Sequence, residues 1–466
     1  MYDESIIKKF LNDGTKKVGG GGNGSVYQLD EKYVVKKLNV SIGKKPNDVA
    51  RRMYQRFKDE IKVVRENAPS ENILPIMQIC DLPDEPVHDG LYYYVMPFAK
   101  ELGKMSFSRM LDVVECFISL YETLNRLHKK GIAHRDIKPS NIYLYESRYC
   151  FADFGLVKYP DKEPVTVERV VGAWTTIAPE MERDPLNADP YKADIYSLAK
   201  TLWMILTRDM NSFEGQYNED DPQMSLNLRI HCLYPDVIYL SGLNKIIREA
   251  TSNDPQKRPT IDTIIKILKL YKSPCESDSD CGNFFELCDL EWSNLINKIS
   301  PMSTSLAMWD SPNTIEMILK RVSLTFGLNH VFLPTKGGDD LRDVNLLPNN
   351  RLELNINMSK RTIEPTRLFL KTHQTLSLCY FYLETRASGV FVFFAKNSSF
   401  NLNNPETEDS SFRYVFDAYD APQMKSQSIE EFDELITALE ENFKKIEKKQ
   451  KYYELIRKFF KHYPKR

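Results

Sequence analysis

Features that would place a chain of 466 residues in a special class are missing from this sequence. It has no apolar run long enough to cross a bilayer, and its acidic start is not followed by the apolar stretch of a secretory signal. Its 63 basic and 65 acidic side chains nearly cancel, so the whole chain projects no large field toward nucleic acid or a membrane. We therefore expect a cytoplasmic protein with no transmembrane segment.

The cysteines are not arranged in the patterns that form a disulfide framework or a structural zinc site. Five of the eight cysteines are scattered. The other three, Cys275, Cys281 and Cys288, lie close together but lack a Cys-x-x-Cys pair and a nearby histidine. This spacing makes a zinc site the weaker interpretation and free thiols in a reducing compartment the stronger one.

The chain divides at residues 273–283, a polar, acidic and turn-rich stretch that is typical of a linker. Its length allows two to three domains, each with its own core. Within residues 1–272, strand-like alternation over about 12–96 gives way to long helical periodicities over about 100–272. This order indicates a small mixed lobe followed by a mostly helical lobe.

The most informative segment is 134–141, which reads HRDIKPSN. In this segment Asp136 can orient a hydroxyl group, Lys138 can neutralise a phosphate, and Asn141 can bind a metal ion. Twelve residues further on, Asp153 opens a DFG motif and supplies a second metal-binding carboxylate. The alternative, a surface charge cluster, does not account for the spacing that these positions share.

Together these residues resemble the catalytic loop and the magnesium-binding motif of a eukaryotic-type (Hanks-type) serine/threonine protein kinase. Further landmarks follow in the order of that family: an APE motif ending at Glu180, a helix carboxylate at Asp194, and Arg258 as the partner of Glu180. The resemblance covers about residues 12–272, and the helix around Asp194 looks closest to bacterial members. It implies the bilobal α+β kinase fold, a protein substrate, and ATP and Mg²⁺ as cofactors.

The resemblance also implies the chemistry of the loop. Asp136 would accept or orient the hydrogen of the substrate hydroxyl, and Lys138 would balance charge on the γ-phosphoryl group. Asn141 and Asp153 would bind magnesium.

A glycine cluster before Val26 matches G-x-G-x-x-G-x-V, the pattern that kinases place over the phosphates of ATP. The matching positions are Gly19, Gly21, Gly24 and Val26. Taken alone, such a cluster is as typical of a plain flexible turn. By the same resemblance Met96 would be the gatekeeper, and Phe98 would belong to the hinge that faces the adenine.

Lys36 is the candidate for the lysine that holds the ATP phosphates, because it ends a strand-like VVK segment. A lysine in this position needs a carboxylate partner, and Glu60 on the first long helix fits. Asp59 is the rival carboxylate. The alternative is that Lys36 and Lys37 are solvated lysines of an edge strand.

Two departures from the family pattern concern the helical lobe. Ala173 stands where serine/threonine kinases usually place a threonine, so either Thr175 or Thr176 substitutes for it or substrate choice differs. Ala199 replaces a common glycine. Neither change removes a metal or phosphate ligand, so a pseudokinase scaffold is the weaker alternative, and phosphoryl transfer to a small molecule is weaker still.

Regulation is indicated by Arg135, which directly precedes Asp136. In this family such an arginine marks control by phosphorylation of the activation segment. A phosphate on Thr166 would attract Arg135 and Lys158 and order the segment. The alternative is that Thr166 is an ordinary exposed threonine.

Residues 284–466 resemble no family that we can name. Strand-like patterns occur at 352–358, 367–370, 376–383 and 390–394, and a helical pattern occurs at 314–326. They predict a separate α+β domain around an antiparallel sheet, with a role in recognition or regulation through an unknown partner.

The chain ends in a predicted long helix that starts near a capping-box pattern at 428–431. Its last stretch, 442–466, carries ten Lys and Arg residues against two Glu. This stretch would suit an anionic surface. A charged face on a helix that packs against the sheet is the commoner arrangement, and we favour it.

Overall fold

The computed structural model describes residues 2–12, 16–21, 24–40, 46–68, 71–160, 173–230, 233–234, 239–272, 281–299, 302, 308–324, 330–333, 337–356, 359–373, 378–386 and 390–395. The chain forms two compact units. The first comprises Met1–Leu233 and Lys245–Leu268, and the second comprises Tyr234–Asn244 and Lys269–Arg466.

The first unit begins with a small lobe of helices and strands. These are α1 (Glu4–Asn12), β1 (Lys17–Gly21), β2 (Gly24–Gln28), β3 (Tyr33–Lys37), α2 (Asp48–Asn67), β4 (Gln78–Ile79) and β5 (Tyr93–Pro97). The strands form an antiparallel sheet in the order β1-β2-β3-β5-β4. Asp30 fixes the turn between β2 and β3, because its Oδ1 accepts the amides of Lys32 and Tyr33 over 2.7 and 2.8 Å.

Two helices cover this sheet and form its core with it. Helix α2 begins at a side-chain cap, where Asn47 Oδ1 accepts the amide of Ala50 over 2.8 Å. It buries Phe57 and Ile61 against the strands. Helix α1 adds Ile7 and Leu11 to the same core, so the segment before the glycine cluster is part of the small lobe.

A predominantly helical region follows. Its elements are β6 (Lys100–Glu101), α3 (Met110–Lys129), β7 (Ile142–Tyr145), β8 (Arg148–Phe151), α4 (Pro179–Arg183), α5 (Pro190–Thr207), α6 (Leu226–Arg229), α7 (Ser241–Ala250) and α8 (Ile261–Lys269). Helix α5 is capped by Asp189, and nearly all of its residues are buried, as expected for a helix at the centre of a lobe. Strands β6, β7 and β8 form a small sheet that flanks the catalytic loop.

The second unit is an α+β structure. It contains α9 (Cys281–Ile299), β9 (Met308–Trp309), α10 (Pro312–Ser323), β10 (His330–Leu333), β11 (Gly337–Leu347), β12 (Arg351–Ile356), β13 (Ser359–Ile363), β14 (Pro365–His373), β15 (Leu378–Thr385) and β16 (Val390–Ala395). These strands form one sheet in the order β13-β12-β11-β10-β16-β15-β14-β9, and every described pairing is antiparallel.

One face of this sheet is buried against α10. In β12 the alternate residues Leu352, Leu354 and Ile356 are buried, which is the period of a half-buried strand. Trp309 and the apolar face of α10 complete the same core.

Some predictions about this half of the chain concern residues that the structure describes, and others do not. The helix predicted at 314–326 is α10, and the predicted linker 273–283 overlaps the start of α9 at Cys281. The predicted terminal helix, with 428–431 and 442–466, lies outside the described residues. Within the described ranges, no helix combines the length and the apolar content needed to span a bilayer.

Candidate active site

A buried carboxylate holds the segment 134–141, which we term the catalytic loop. Asp194 of α5 is 1% exposed, and its two oxygens accept the amides of His134 and Arg135, each over 2.8 Å. His128 Nε2 lies 3.0 Å from Asp194 Oδ2. Because these partners compensate the buried charge, Asp194 ties the loop backbone to the central helix.

The backbone is strained at two points of the site. Arg135 and Asp153 have φ values of 67° and 62°, in the left-handed region that side-chain-bearing residues rarely adopt. Such conformations persist where surrounding contacts impose them, and here Asp194 holds the amide of Arg135. The strain therefore lies at the loop and at the DFG carboxylate.

The structure brings Asp136, Lys138 and Asn141 together. Lys138 Nζ lies 2.9 Å from Asp136 Oδ2, and Asn141 Nδ2 donates to the same oxygen over 2.9 Å. Asn141 Nδ2 also donates to the Asp136 carbonyl over 2.8 Å. The amide nitrogen of Asn141 is thus engaged, and its oxygen is the atom that suits a cation.

A second cluster joins Lys36, Glu60 and Asp153. Lys36 Nζ lies 2.8 and 2.9 Å from the two oxygens of Glu60 and 2.9 Å from Asp153 Oδ1. Lys36 and Glu60 are 5% and 1% exposed. Tyr94 donates its hydroxyl to Glu60 Oε1 over 2.9 Å, so the carboxylate has two partners. This geometry makes Lys36 a buried cation that links β3, α2 and the DFG motif.

The electrostatics of this cluster favour the charged forms of Lys36 and Asp153. Burial disfavours the ammonium of Lys36, but the attraction of Asp153 and Glu60 outweighs it and raises the pKa of Lys36 well above its ordinary value. Burial also opposes the carboxylate of Asp153, yet the charge of Lys36 outweighs it and lowers the pKa of Asp153. The pair is therefore an ion pair at neutral pH.

The rival carboxylate Asp59 faces a different set of partners. Its Oδ1 accepts Gln55 Nε2 over 2.8 Å and the hydroxyl of Tyr159 over 2.9 Å. Of the two neighbouring carboxylates, Glu60 is the one that the structure pairs with Lys36.

The glycine cluster forms the β1–β2 hairpin. Gly19 pairs with Val26 and Gly21 with Gly24. A Cβ atom on Gly24 would lie 2.9 Å from the Lys37 carbonyl oxygen and 3.3 Å from the Lys36 side chain. Only a residue without a side chain fits there, so the backbone of the hairpin approaches the strand of Lys36 closely.

Apolar side chains lie beside these polar clusters. Met96 of β5 is partly buried and packs with the buried residues Leu74, Cys150 and Ala152. Ala152 directly precedes Asp153, so the apolar cluster around Met96 adjoins the DFG motif.

Phe98, the predicted hinge residue, lies in a more open position. It is 49% exposed, and its amide donates to the Lys32 carbonyl over 2.7 Å. This hydrogen bond joins the predicted hinge to the β2–β3 turn. The backbone of Phe98 is therefore held, whereas much of its ring faces outward.

Tyr143 of β7 packs against the same apolar cluster as Met96. Burial and then the negative charges of Glu101 and Asp153 raise the pKa of Tyr143 to about 12. The apolar cluster around Met96 thus lies beside Asp153, and Ala99, next to the predicted hinge residue Phe98, packs against the same cluster.

The predicted regulatory residues lie on two adjacent segments. Lys158 exchanges two backbone hydrogen bonds with Ala133, of 2.8 and 2.9 Å, directly before the catalytic loop. Arg135 Nε is buried and makes no hydrogen bond within the part of the chain that the structure describes. Burial lowers the pKa of Arg135, Asp194 opposes that effect, and the positive charge of Arg56 adds to it. Thr166 lies outside the described residues.

The segment after Ala173 contacts the catalytic loop through Thr176. Its hydroxyl donates to the Ile137 carbonyl over 2.8 Å, and Ser197 Oγ donates to the Thr176 carbonyl over 2.8 Å. Of the two threonines considered as substitutes at Ala173, Thr176 is the one whose hydroxyl bonds to the catalytic loop. It bonds to the backbone carbonyl of Ile137 and not to the side chain of Asp136. Trp174 stands out from this segment with 76% of its surface exposed.

The end of this segment is held by a buried arginine. Arg258, which is 2% exposed, donates from Nη2 to Glu180 Oε2 over 2.8 Å. The pair ties the APE motif to the segment before α8.

A family model of the protein kinase domain matches residues 13–268, which is more than half of the chain. The chain belongs to the protein kinase family. The match gives this part of the kinase the bilobal α+β fold that the motif order implied, and it ends before α9.

Curated relatives carry serine/threonine kinase names. The ovarian-specific serine/threonine-protein kinase Lok of Drosophila melanogaster is 26% identical over 273 residues, 56% of this chain and 56% of its own length. The serine/threonine-protein kinase PrkC of Bacillus subtilis is 27% identical over 210 residues, 43% of this chain and 30% of its own length. This kinase therefore spans a little over half the length of the first relative and less of the second.

Sequence reasoning missed several side chains of the site. Tyr94 and Tyr143 lie on strands whose alternation was visible, but alternation does not tell which hydroxyl meets a carboxylate. Arg56 lies one helical turn before Glu60, a spacing that places both on one side of α2 and could have been noticed. Tyr159 gave no signal, because its partner Asp59 is distant in the sequence.

Proposed function

We propose that this chain is an ATP-dependent serine/threonine protein kinase that uses Mg²⁺. The observation that carries the proposal is the joint presence of two clusters in the described structure, Lys36–Glu60–Asp153 and Asp136–Lys138–Asn141. A scaffold that had lost activity would have no need to keep both sets of charges in place. The complete set therefore favours the enzyme over the pseudokinase.

The reaction would join the oxygen of a substrate hydroxyl to the γ-phosphorus of ATP and break the bond from that phosphorus to the bridging oxygen of ADP. Asp136 orients the hydroxyl and accepts its proton as the new bond forms. Lys138 neutralises charge on the transferred group, and Lys36 holds the other phosphates while Glu60 holds Lys36 in place. Little covalent chemistry is asked of the protein, which supplies position and charge.

The donor set fits magnesium. In the described ranges no group of three or more His, Cys, Asp and Glu side chains could hold a metal ion. Asp153 and the oxygen of Asn141 offer few, hard ligands, and Mg²⁺ is commonly bound by one or two carboxylates together with phosphates and water. Bound there, the ion would neutralise charge on the phosphates during transfer.

The test is incubation of the full chain with labelled ATP, Mg²⁺ and a general protein substrate. Asp136→Asn and Lys36→Met should each abolish most labelling relative to the wild type, because one removes the group that orients the hydroxyl and the other the phosphate cation. Equal labelling by all three proteins would contradict the proposal.

We also infer that the kinase phosphorylates its own activation segment at Thr166. Support comes from Arg135, whose buried Nε makes no hydrogen bond within the described residues, and from the nearby charge of Arg56. The oxygens of a phosphate would accept hydrogen bonds from these two guanidinium groups. Lys158, near the start of the activation segment, would add a further positive charge. For this reason we add Arg56 to the proposed regulatory residues Arg135, Lys158 and Thr166.

Mass spectrometry of the active chain tests this step. We expect phosphate on Thr166 in the wild type, none in Asp136→Asn, and lower activity in Thr166→Ala. Fully active protein without phosphate between residues 158 and 176 would contradict it.

For the second unit we propose recognition or regulation through a partner not yet identified. Support comes from its own buried core, all of which lies beyond residue 268, where the family match ends. A chain ending at 441 should keep kinase activity and partner binding if 442–466 is a solvated helix face. Loss of binding to anionic vesicles on this truncation would instead assign the stretch to an anionic surface.

The buried free thiols Cys80, Cys116 and Cys150 support the cytoplasmic assignment.

A further inference from the structure

Tyr159 connects two segments that the phosphotransfer chemistry leaves separate. Its hydroxyl donates to Asp59 Oδ1 over 2.9 Å, and Lys62 Nζ lies 5.0 Å from the centre of its ring. Asp59 and Lys62 both belong to α2. A hydrogen bond and a cation–π contact therefore hold the residue after Lys158 against this helix.

The partner of Tyr159 is next in sequence to the partner of Lys36. An α-helix turns about 100° per residue, so neighbouring side chains point in different directions. Accordingly Glu60 faces Lys36, and Asp59 faces Tyr159. A rotation or outward shift of α2 that separates Asp59 from Tyr159 would also carry Glu60 away from Lys36.

The other end of this connection is fixed to the catalytic loop. Lys158 exchanges two backbone hydrogen bonds with Ala133, the residue before His134. Tyr159 is thus one residue away from a segment that the loop holds in place. Contacts run without a gap from the loop, through Lys158 and Tyr159, to α2.

We propose that Tyr159 is a positioning residue that sets the orientation of α2 and so keeps Glu60 on Lys36. The proposal rests on the kinase function proposed above. Burial and then the hydrogen bond to Asp59 raise the pKa of Tyr159 to about 12, so the hydroxyl stays protonated and donates throughout the neutral range.

Tyr159→Phe in the full chain tests the hydrogen bond while it keeps the ring beside Lys62. The hydroxyl bond helps to hold α2, so we expect a rise of about threefold to tenfold in the KM for ATP and in the Kd for Mg²⁺-ATP. The KM for the protein substrate should stay unchanged. Tyr54→Phe is the matched control: it also removes a tyrosine hydrogen bond from α2, to the Pro83 carbonyl over 2.6 Å, at a place away from Tyr159.

Combined variants separate positioning from general stability. Asp59→Ala and Tyr159→Phe together should weaken nucleotide binding no more than the more severe single change, because both remove one bond. In a Lys36→Met background, Tyr159→Phe should have no further effect on the Kd for Mg²⁺-ATP. A merely structural role predicts an additive loss in the Lys36→Met background.

Three outcomes would overturn the inference: unchanged ATP parameters in Tyr159→Phe, the same loss in Tyr54→Phe, or additivity with Lys36→Met. Each of them leaves the proposed kinase function intact as long as the wild type transfers phosphate. A wild type that transfers none would overturn the proposed function and this inference with it.

Discussion

Trp174 is the most exposed of the large apolar side chains that the structure describes, at 76%. It lies two residues before Thr176, which is bonded to the catalytic loop at Ile137. An exposed indole next to the loop that carries Asp136 is placed to contact a protein substrate, and tryptophan contributes more than most residues to such contacts. On the proposed kinase function, Trp174 would give the substrate an apolar contact beside Ala173, where the family's usual threonine is absent.

Replacing Trp174 should therefore weaken substrate binding selectively. Trp174→Ala should raise the KM for a protein substrate by about tenfold, with little change in the KM for ATP. Steady-state kinetics with each substrate varied in turn measures the difference. Leu186→Ala, another exposed apolar position at 62%, is the control. A parallel rise in both KM values would show a structural effect instead.

The residues of the site could be predicted to different degrees. Asp136, Lys138, Asn141 and Asp153 are polar side chains at short, fixed spacings, so the motif identifies them before any fold is known. The choice between Asp59 and Glu60 could not be made in this way. It depends on which side of α2 faces β3, and that follows from how Phe57 and Ile61 pack in the core.

Helix α1 shows what packing adds at the scale of one element. It has nine residues, too few for a stable helix in isolation, and its pattern alone did not predict it. Ile7 and Leu11 are 0% and 3% exposed in the core of the small lobe, and this burial stabilises the helix. Conversely, the apolar stretch 73–79 forms only the two-residue strand β4, because the amides of Leu74 and Met77 donate to the carbonyls of two different segments, at Phe151 and Val95.

Two adjacent isoleucines of α1 test this account. Ile7 is fully buried and Ile6 is 57% exposed. Ile7→Ala should lower the free energy of unfolding by about 2–5 kcal/mol, since it leaves a cavity, whereas Ile6→Ala should cost little. Denaturant unfolding of both variants gives the comparison. Equal, small losses would mean that α1 contributes nothing to the core.

Helix α5 contains a buried cation that no part of the proposed reaction uses. Lys200 is 4% exposed, contacts the rings of Tyr196 and Phe213, and donates to the Phe213 carbonyl over 2.5 Å. Burial lowers the pKa of Lys200 to about 8, against a smaller opposing effect of Glu214. Its ammonium form is therefore costly in the folded state.

The sign of the pH effect follows from this shift. Between pH 8 and 10.5 the unfolded chain keeps the proton of Lys200 and the folded chain releases it, so stability rises with pH in that window. Relative to Lys200→Met, the wild type should gain on the order of 3 kcal/mol across the window, at about 1.4 kcal/mol per pKa unit. Unfolding free energies of both proteins from pH 7 to 10.5 measure it. A constant difference between them would refute the buried charge.

At the scale of the whole molecule, the family boundary and the structural boundary differ. The kinase match ends at 268, yet Tyr234–Asn244 clusters with the second unit. Two contacts explain this. The Tyr271 hydroxyl donates to the Tyr239 carbonyl over 2.5 Å, and Glu291 of α9 accepts from the amide and hydroxyl of Ser241 at the start of α7. A linker read from composition could not reveal contacts between segments so far apart in sequence.

The Glu291–Ser241 contact places a buried carboxylate, 4% exposed, at the positive end of a helix. Glu291→Gln keeps the shape but removes the charge that both donors of Ser241 meet, so the free energy of unfolding should fall by about 1–3 kcal/mol. Asn297→Ala, at an exposed position of α9, the helix that carries Glu291, should have almost no effect. Denaturant unfolding of the wild type and both variants measures the difference, and equal losses in Glu291→Gln and Asn297→Ala would show that the buried carboxylate does not stabilise the fold.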